Sequence, residues 1–184
     1  MGREKLASRR LLTWGVGLLL GAQVLFVSAQ ATEASLRVAF VYNFLKFIEW
    51  PAAQTPTFNL CAVNAQGAAR ESLAQLNNKN YQSQQITIVY LDQVADIASQ
   101  LTQCQLLYVP VSGADFQLPQ AFPAGVLLVM DEANPDDARV GISLLRTAGN
   151  RIEFVMNEQA IQHAGVKVSS QLLKLAKKRR EGGN

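Results

Sequence analysis

One histidine and two cysteines in 184 residues leave this chain poor in the groups that bind metals or activate nucleophiles. His163 has no H-x-x-x-H partner, and no G-x-S-x-G serine accompanies it, so neither a metalloprotease helix nor a hydrolase elbow is present. The 12 glycines form neither G-x-G-x-x-G nor a P-loop, which removes the usual nucleotide readings of a parallel sheet. The one dense carboxylate patch, Asp131-Glu132-Ala133-Asn134-Pro135-Asp136-Asp137, lacks the alternating ligands and central glycine of an EF-hand. Asn-Pro-Asp is ordinary turn chemistry, so the patch is expected to be a solvated loop. No Pro/Gly/Ser-rich linker, repeat or low-complexity tract interrupts the chain. With no activated nucleophile, poised acid/base pair or metal set to be found, the expectation is a protein that is not an enzyme and carries no cofactor.

What is present begins with a targeting pattern. Residues 1–10 carry Arg3, Lys5, Arg9 and Arg10 against Glu4, and Leu11 to Val27 is an uncharged apolar run ending in Ser28-Ala29-Gln30-Ala31. A basic start, an apolar middle and small residues spaced A-x-A make a secretory signal peptide, with cleavage expected after Ala31 or alternatively Ala29. An uncleaved anchor is the competing reading, since the run is only slightly short of a bilayer span. Residues 1–31 are therefore assigned to the signal and 32–184 to one exported domain, placed in the periplasm. Removing the signal leaves 13 basic and 13 acidic side chains, so the basic pI belongs to the leader and gives no ground for nucleic-acid binding. The positive charge at the other end, Lys174, Lys177, Lys178, Arg179 and Arg180, reads as a solvated helix end. In an oxidising compartment Cys61 and Cys104 read as a long-range disulfide.

The exported part is long enough for one sizeable core. Leu36, Ala39, Phe40, Asn43, Phe44, Phe47 and Ile48 follow helical spacing and end at Trp50-Pro51. Val38, Val41, Tyr42 and Leu45 form a second apolar side of the same helix. A helix apolar nearly all round is buried from two directions, either by its own domain or by another chain. Asn43, standing on the first stripe, is expected to tie the helix to neighbouring backbone. Beyond it, strands are predicted at Phe58–Val63, Ile86–Leu91, Gln105–Val109 and Val126–Met130, with helices at Gly67–Leu76 and Gln93–Leu101. Arg139–Leu145 and Arg151–Met156 flank Gly149-Asn150 as a hairpin. A helix at Glu158–His163, a strand at Val166–Val168 and a last helix beginning at Ser169 or Ser170 follow. The fold class is α/β: a single domain with a mixed, mainly parallel sheet, helices on both faces and a late antiparallel hairpin.

Val41-Tyr42-Asn43-Phe44-Leu45-Lys46-Phe47-Ile48-Glu49-Trp50-Pro51 resembles the opening of the YfiR family. Further matches follow in order at Phe58–Cys61, Cys104–Val109, Arg151–Asn157 and Val168–Ala176. The resemblance implies a periplasmic repressor that binds the periplasmic domain of an inner-membrane diguanylate cyclase and so restrains cyclic di-GMP signalling and biofilm formation. It also implies that an outer-membrane lipoprotein can sequester the repressor. Cys61 and Cys104 match one family disulfide; the cysteines of a second bridge found in some members are missing here. Within this reading, Val38, Val41, Tyr42 and Leu45 would contact a second copy in a homodimer. Glu153, Phe154, Asn157 and Leu173 would meet the cyclase, with core packing as the competing role of Phe154. A periplasmic small-ligand sensor, its pocket at the sheet's switch point, is the alternative function.

Overall fold

The computed structural model describes residues 32–51, 55–134 and 136–177. The proposed signal peptide, Pro135 and the basic Lys178, Arg179 and Arg180 lie outside the described residues. Helix α1 (Glu33–Leu45) opens the fold, its N-cap Thr32 accepting from the Ser35 backbone N–H. Strands β1 (Ile48–Glu49), β2 (Thr57–Val63), β3 (Asn80–Tyr81), β4 (Gln84–Leu91), β5 (Leu106–Val109), β6 (Leu127–Asp131), β7 (Ile142–Arg146), β8 (Ile152–Met156) and β9 (Lys167–Val168) alternate with four further helices. These are α2 (Gly67–Ala74), α3 (Val94–Gln100), α4 (Glu158–His163) and α5 (Ser170–Leu175). Seven strands make one sheet in the order β3-β4-β2-β5-β6-β7-β8, while β1 and β9 form a separate antiparallel pair. The centre, from β4 to β7, is parallel; β3 and β8 add antiparallel edges. The mixed, mainly parallel sheet with a late hairpin is the expected architecture.

Strand alternation divides the core in two. Leu60, Ala62, Leu106, Tyr108 and Val129 face α1 and α2, while Cys61, Val63, Leu107, Val109 and Leu128 pack with Ile97 and Leu101 on the other side. Cys61 and Cys104 are bonded there, with Cα atoms 5.7 Å apart. Closing a 43-residue separation stabilises the fold by up to about 4 kcal/mol in the chain-entropy picture.

The first helix is shorter than its stripe predicts and turned differently. It ends at Leu45, because the next residues leave to pair as Ile48 with Val168 and Glu49 with Lys167, and the Phe47 carbonyl accepts from Ser169 N–H at 2.9 Å. Trp50 then donates to the Gln105 carbonyl at 3.0 Å and packs edge-on against Phe58. The buried side of α1 is Arg37, Val38, Val41, Phe44 and Leu45. Val38, Val41 and Leu45 are thus core residues, at most 2% exposed, and are not available to a second copy while α1 lies on the sheet. Tyr42 is half-buried, with Lys46 over its ring. Asn43 is exposed and accepts from Lys46 Nζ at 3.0 Å, so it holds no neighbouring backbone. Leu36 and Ala39, expected inside, are exposed.

Candidate functional site

The hairpin has two unlike faces. Ile142 and Leu144 of β7 and Phe154 of β8 turn inward, where the Phe154 ring meets Phe44 edge-on at 5.1 Å and Phe40 at 6.3 Å. Their neighbours Ser143, Leu145, Glu153 and Val155 necessarily point outward. The outward face floors a groove of about 480 Å³, extended by Ala133 and Val140 and rimmed by Asp137, Asn157 and Lys177. Leu145, Val155, Ala133 and Val140 give the floor its apolar area, and Glu153, Asp137 and Lys177 put both signs of charge around it, an arrangement suited to a polypeptide and without a reactive group. On β8 the ladder continues: Lys177 N–H donates to the Phe154 carbonyl at 2.9 Å, pairing that residue with Val155. The Lys177 ammonium also lies 3.5 Å from the Glu153 carboxylate.

A second polar group sits on the inner side, and Arg37 is its centre. The guanidinium, 1% exposed, donates through Nη1 to the Leu144 carbonyl at 3.0 Å and through Nε and Nη2 to Glu33. Nη2 also donates to Glu132, whose carboxylate accepts the Arg146 backbone N–H at 2.9 Å. Glu132 reaches this position from a left-handed backbone, φ 49°, directly after β6. Asp131, 2% exposed, accepts from the Tyr108 hydroxyl at 2.9 Å and from Val111 N–H at 3.3 Å, both on Oδ2. Burial pushes its carboxyl up to about 6, against the opposing pull of Arg37. Burial likewise raises the Tyr108 hydroxyl, and the Arg37 hydrogen bond holds Glu33 below its usual range. The carboxylate patch is therefore no simple solvated loop: its first residue is the buried end of a strand, and its second clamps α1 to β7.

A sequence profile of the YfiR/HmsC-like family matches residues 34–177. The chain belongs to that family. It is a regulatory rather than a catalytic family, and a periplasmic one. Among the described residues of this YfiR-like chain, no helix is long and apolar enough to cross a membrane.

Of the residues expected to meet a partner, the structure brings Glu153 and Asn157 to the outer groove. Asn157 is also the N-cap of α4, accepting from Gln159 N–H at 3.1 Å while its amide donates to the Ala138 carbonyl at 3.1 Å. Phe154 lies on the opposite side of the strand, 5% exposed, and is a core residue. Leu173 is 44% exposed on α5, outside the groove lining. His163 ends α4 ahead of Gly165, its ring N–H donating to the Phe122 carbonyl at 3.0 Å. Val155, Leu145 and Val140 were not among the residues expected to meet a partner, although strict alternation from Phe154 places Val155 outward. Arg37 was not among them either, although a cation inside an apolar helix is a sign of a buried acid elsewhere.

Proposed function

We propose that this YfiR-like protein is a periplasmic regulator that binds the periplasmic domain of an inner-membrane diguanylate cyclase and represses it. The observation that carries the reading is the outer groove of the hairpin, an apolar floor with a charged rim on a member of a regulatory family. Buried apolar floor contacts supply affinity in such an interface, and rim charges set orientation and encounter rate. Val155 and Leu145 would be the anchors, with Glu153, Asn157 and Lys177 at the rim. Leu173 on α5 would extend the contact. Phe154 supports this surface from behind by fixing the strand and does not touch the partner.

The test is cyclic di-GMP content in cells. Deleting the gene raises it, the wild-type chain restores it, and Val155→Asp fails to restore it although the variant accumulates to the same level in the periplasm. Unchanged cyclic di-GMP after deletion would overturn the reading.

A further inference from the structure

In the order β4-β2-β5-β6, the chain leaves β2 toward one side of the sheet and leaves β5 toward the other. The carboxyl ends of these two strands consequently bound a crevice at the topological switch point, the place where open α/β sheets hold their ligands. A pocket of about 320 Å³ opens there, walled by Ala34 of α1, Ala69 of α2, and Pro110 and Val111 beyond β5. Asp131 and Arg37 line the same pocket, and Asp131 Oδ1 is buried without a hydrogen-bond partner among the described residues. A carboxylate oxygen withdrawn from water with no donor is a rare and costly feature, and one that calls for an explanation.

The chemistry of the lining narrows what would satisfy it. Arg37 has four of its five N–H groups committed to Glu33, Glu132 and the Leu144 carbonyl. The fifth faces Asp131 Oδ1 at 3.6 Å, past hydrogen-bond length. An anionic ligand therefore finds no free guanidinium. Glu33, Asp131 and Glu132 outnumber Arg37 and Arg146, which pairs with Glu33 at 3.1 Å, so one negative charge is in excess. Among the described residues no three carboxylate, imidazole or thiolate groups converge closely enough to hold a metal ion. Ala34, Ala69, Pro110 and Val111 give the walls short aliphatic side chains with room for a compact hydrocarbon, and Gln66 and Ser112 add neutral polar groups that carry no charge to attract an anion.

We propose that the switch-point pocket binds a small organic cation, a primary amine on a compact aliphatic body, with its ammonium donating to Asp131 Oδ1. This site lies on the opposite side of the sheet edge from the outer hairpin groove and is independent of the cyclase reading.

The probe is isobutylammonium, with isobutanol and isobutyrate as neutral and anionic molecules of nearly the same shape. They are titrated at pH 7.5 into the disulfide-bonded, isotopically labelled protein, following the amide resonances of Ala69, Val111 and Asp131. Only the amine shifts these resonances, saturating at millimolar concentration, and Asp131→Asn weakens it at least tenfold. Acidifying to pH 5 weakens it as well, because Asp131 takes up its proton. The charged or titratable groups facing Asp131 are Arg37 and Glu33 from α1, Tyr108 from β5 and Glu132 after β6. Should Asp131→Asn not fold, Val111→Trp decides, since Val111 is 57% exposed at the pocket mouth and a large ring there blocks entry without changing charge. Equal response to all three probes, no response to any, or amine binding undiminished in either folded variant overturns the proposal.

Discussion

The two faces of the β7–β8 hairpin are made from alternate residues of the same ten positions, yet they do opposite work. Inward, Leu144 and Phe154 sit opposite each other and are sealed under α1, with Phe44 on the Phe154 ring and Arg37 on the Leu144 carbonyl. Outward, Ser143 opposite Val155 and Leu145 opposite Glu153 have no helix above them among the described residues and line the groove. A residue on the inner face is therefore read out mainly as stability, and one on the outer face as partner binding. The contrast follows from where α1 docks, and Arg37 fixes that docking.

The sharpest way to break it is to remove the clamp. Arg37→Met keeps the hydrocarbon but leaves Glu132 and Asp131 without their cation, and should lower unfolding free energy by about 3–5 kcal/mol in denaturant melts. Next, Phe154→Ala opens a cavity beneath α1 and should cost about 3 kcal/mol. In the folded fraction its affinity for the cyclase domain should stay near that of wild type, measured by titration calorimetry under stabilising conditions. A large affinity loss with unchanged stability would instead place Phe154 in the interface.

The hairpin was legible because period-two alternation on both sides of Gly149-Asn150 admits one register, and Asn150 adopts the left-handed backbone such a turn needs, φ 58°. The rotation of α1 was not, since a helix apolar on nearly every side gives periodicity nothing to choose by. Only Arg37 could have chosen, through its distant partners Glu132 and Leu144. Asp131 misled for a related reason. Read in sequence it begins a polar run, but Tyr108 and Arg37 carry β6 one residue further and bury it. The two-residue strands β1 and β3 are too short to leave a pattern, whereas β9 falls within the strand expected at Val166–Val168.

Charge on the inner face also makes stability depend on pH in a direction unusual for a carboxylate. Asp131 is raised from 3.8 to about 6 in the fold, chiefly by burial, so the folded state holds this proton more tightly than the unfolded chain. Its favourable contribution is complete below about pH 4 and is lost as pH rises through 6, a change of up to about 3 kcal/mol. Glu33 and Asp137, both lowered by arginine hydrogen bonds, have the opposite sign, adding stability above the ordinary carboxylate range that is lost on acidifying. The variant comparison separates them: Asp131→Asn should gain on wild type in melting temperature between pH 5 and pH 7.5. A gap that does not change with pH would mean that Asp131 keeps an ordinary carboxylate range.

On the outer face the expected stability effects are small and the binding effects are not. Val155→Asp should change unfolding free energy by under about 1 kcal/mol yet weaken the cyclase domain at least tenfold, or about 1.4 kcal/mol. The smallest effect belongs to the rim pair. Lys177 and Glu153 are 61% and 28% exposed at 3.5 Å, so screening by solvent limits the pair to a few tenths of a kcal/mol of stability. Lys177→Ala removes the ammonium and keeps the backbone N–H that donates to the Phe154 carbonyl. Melting should therefore hardly move, while the association rate with the cyclase domain changes and loses part of its salt dependence, as measured by stopped flow. A clear drop in melting temperature would show instead that the ammonium anchors the last described residues to β8, and that this edge of the outer face belongs to the fold more than to the partner.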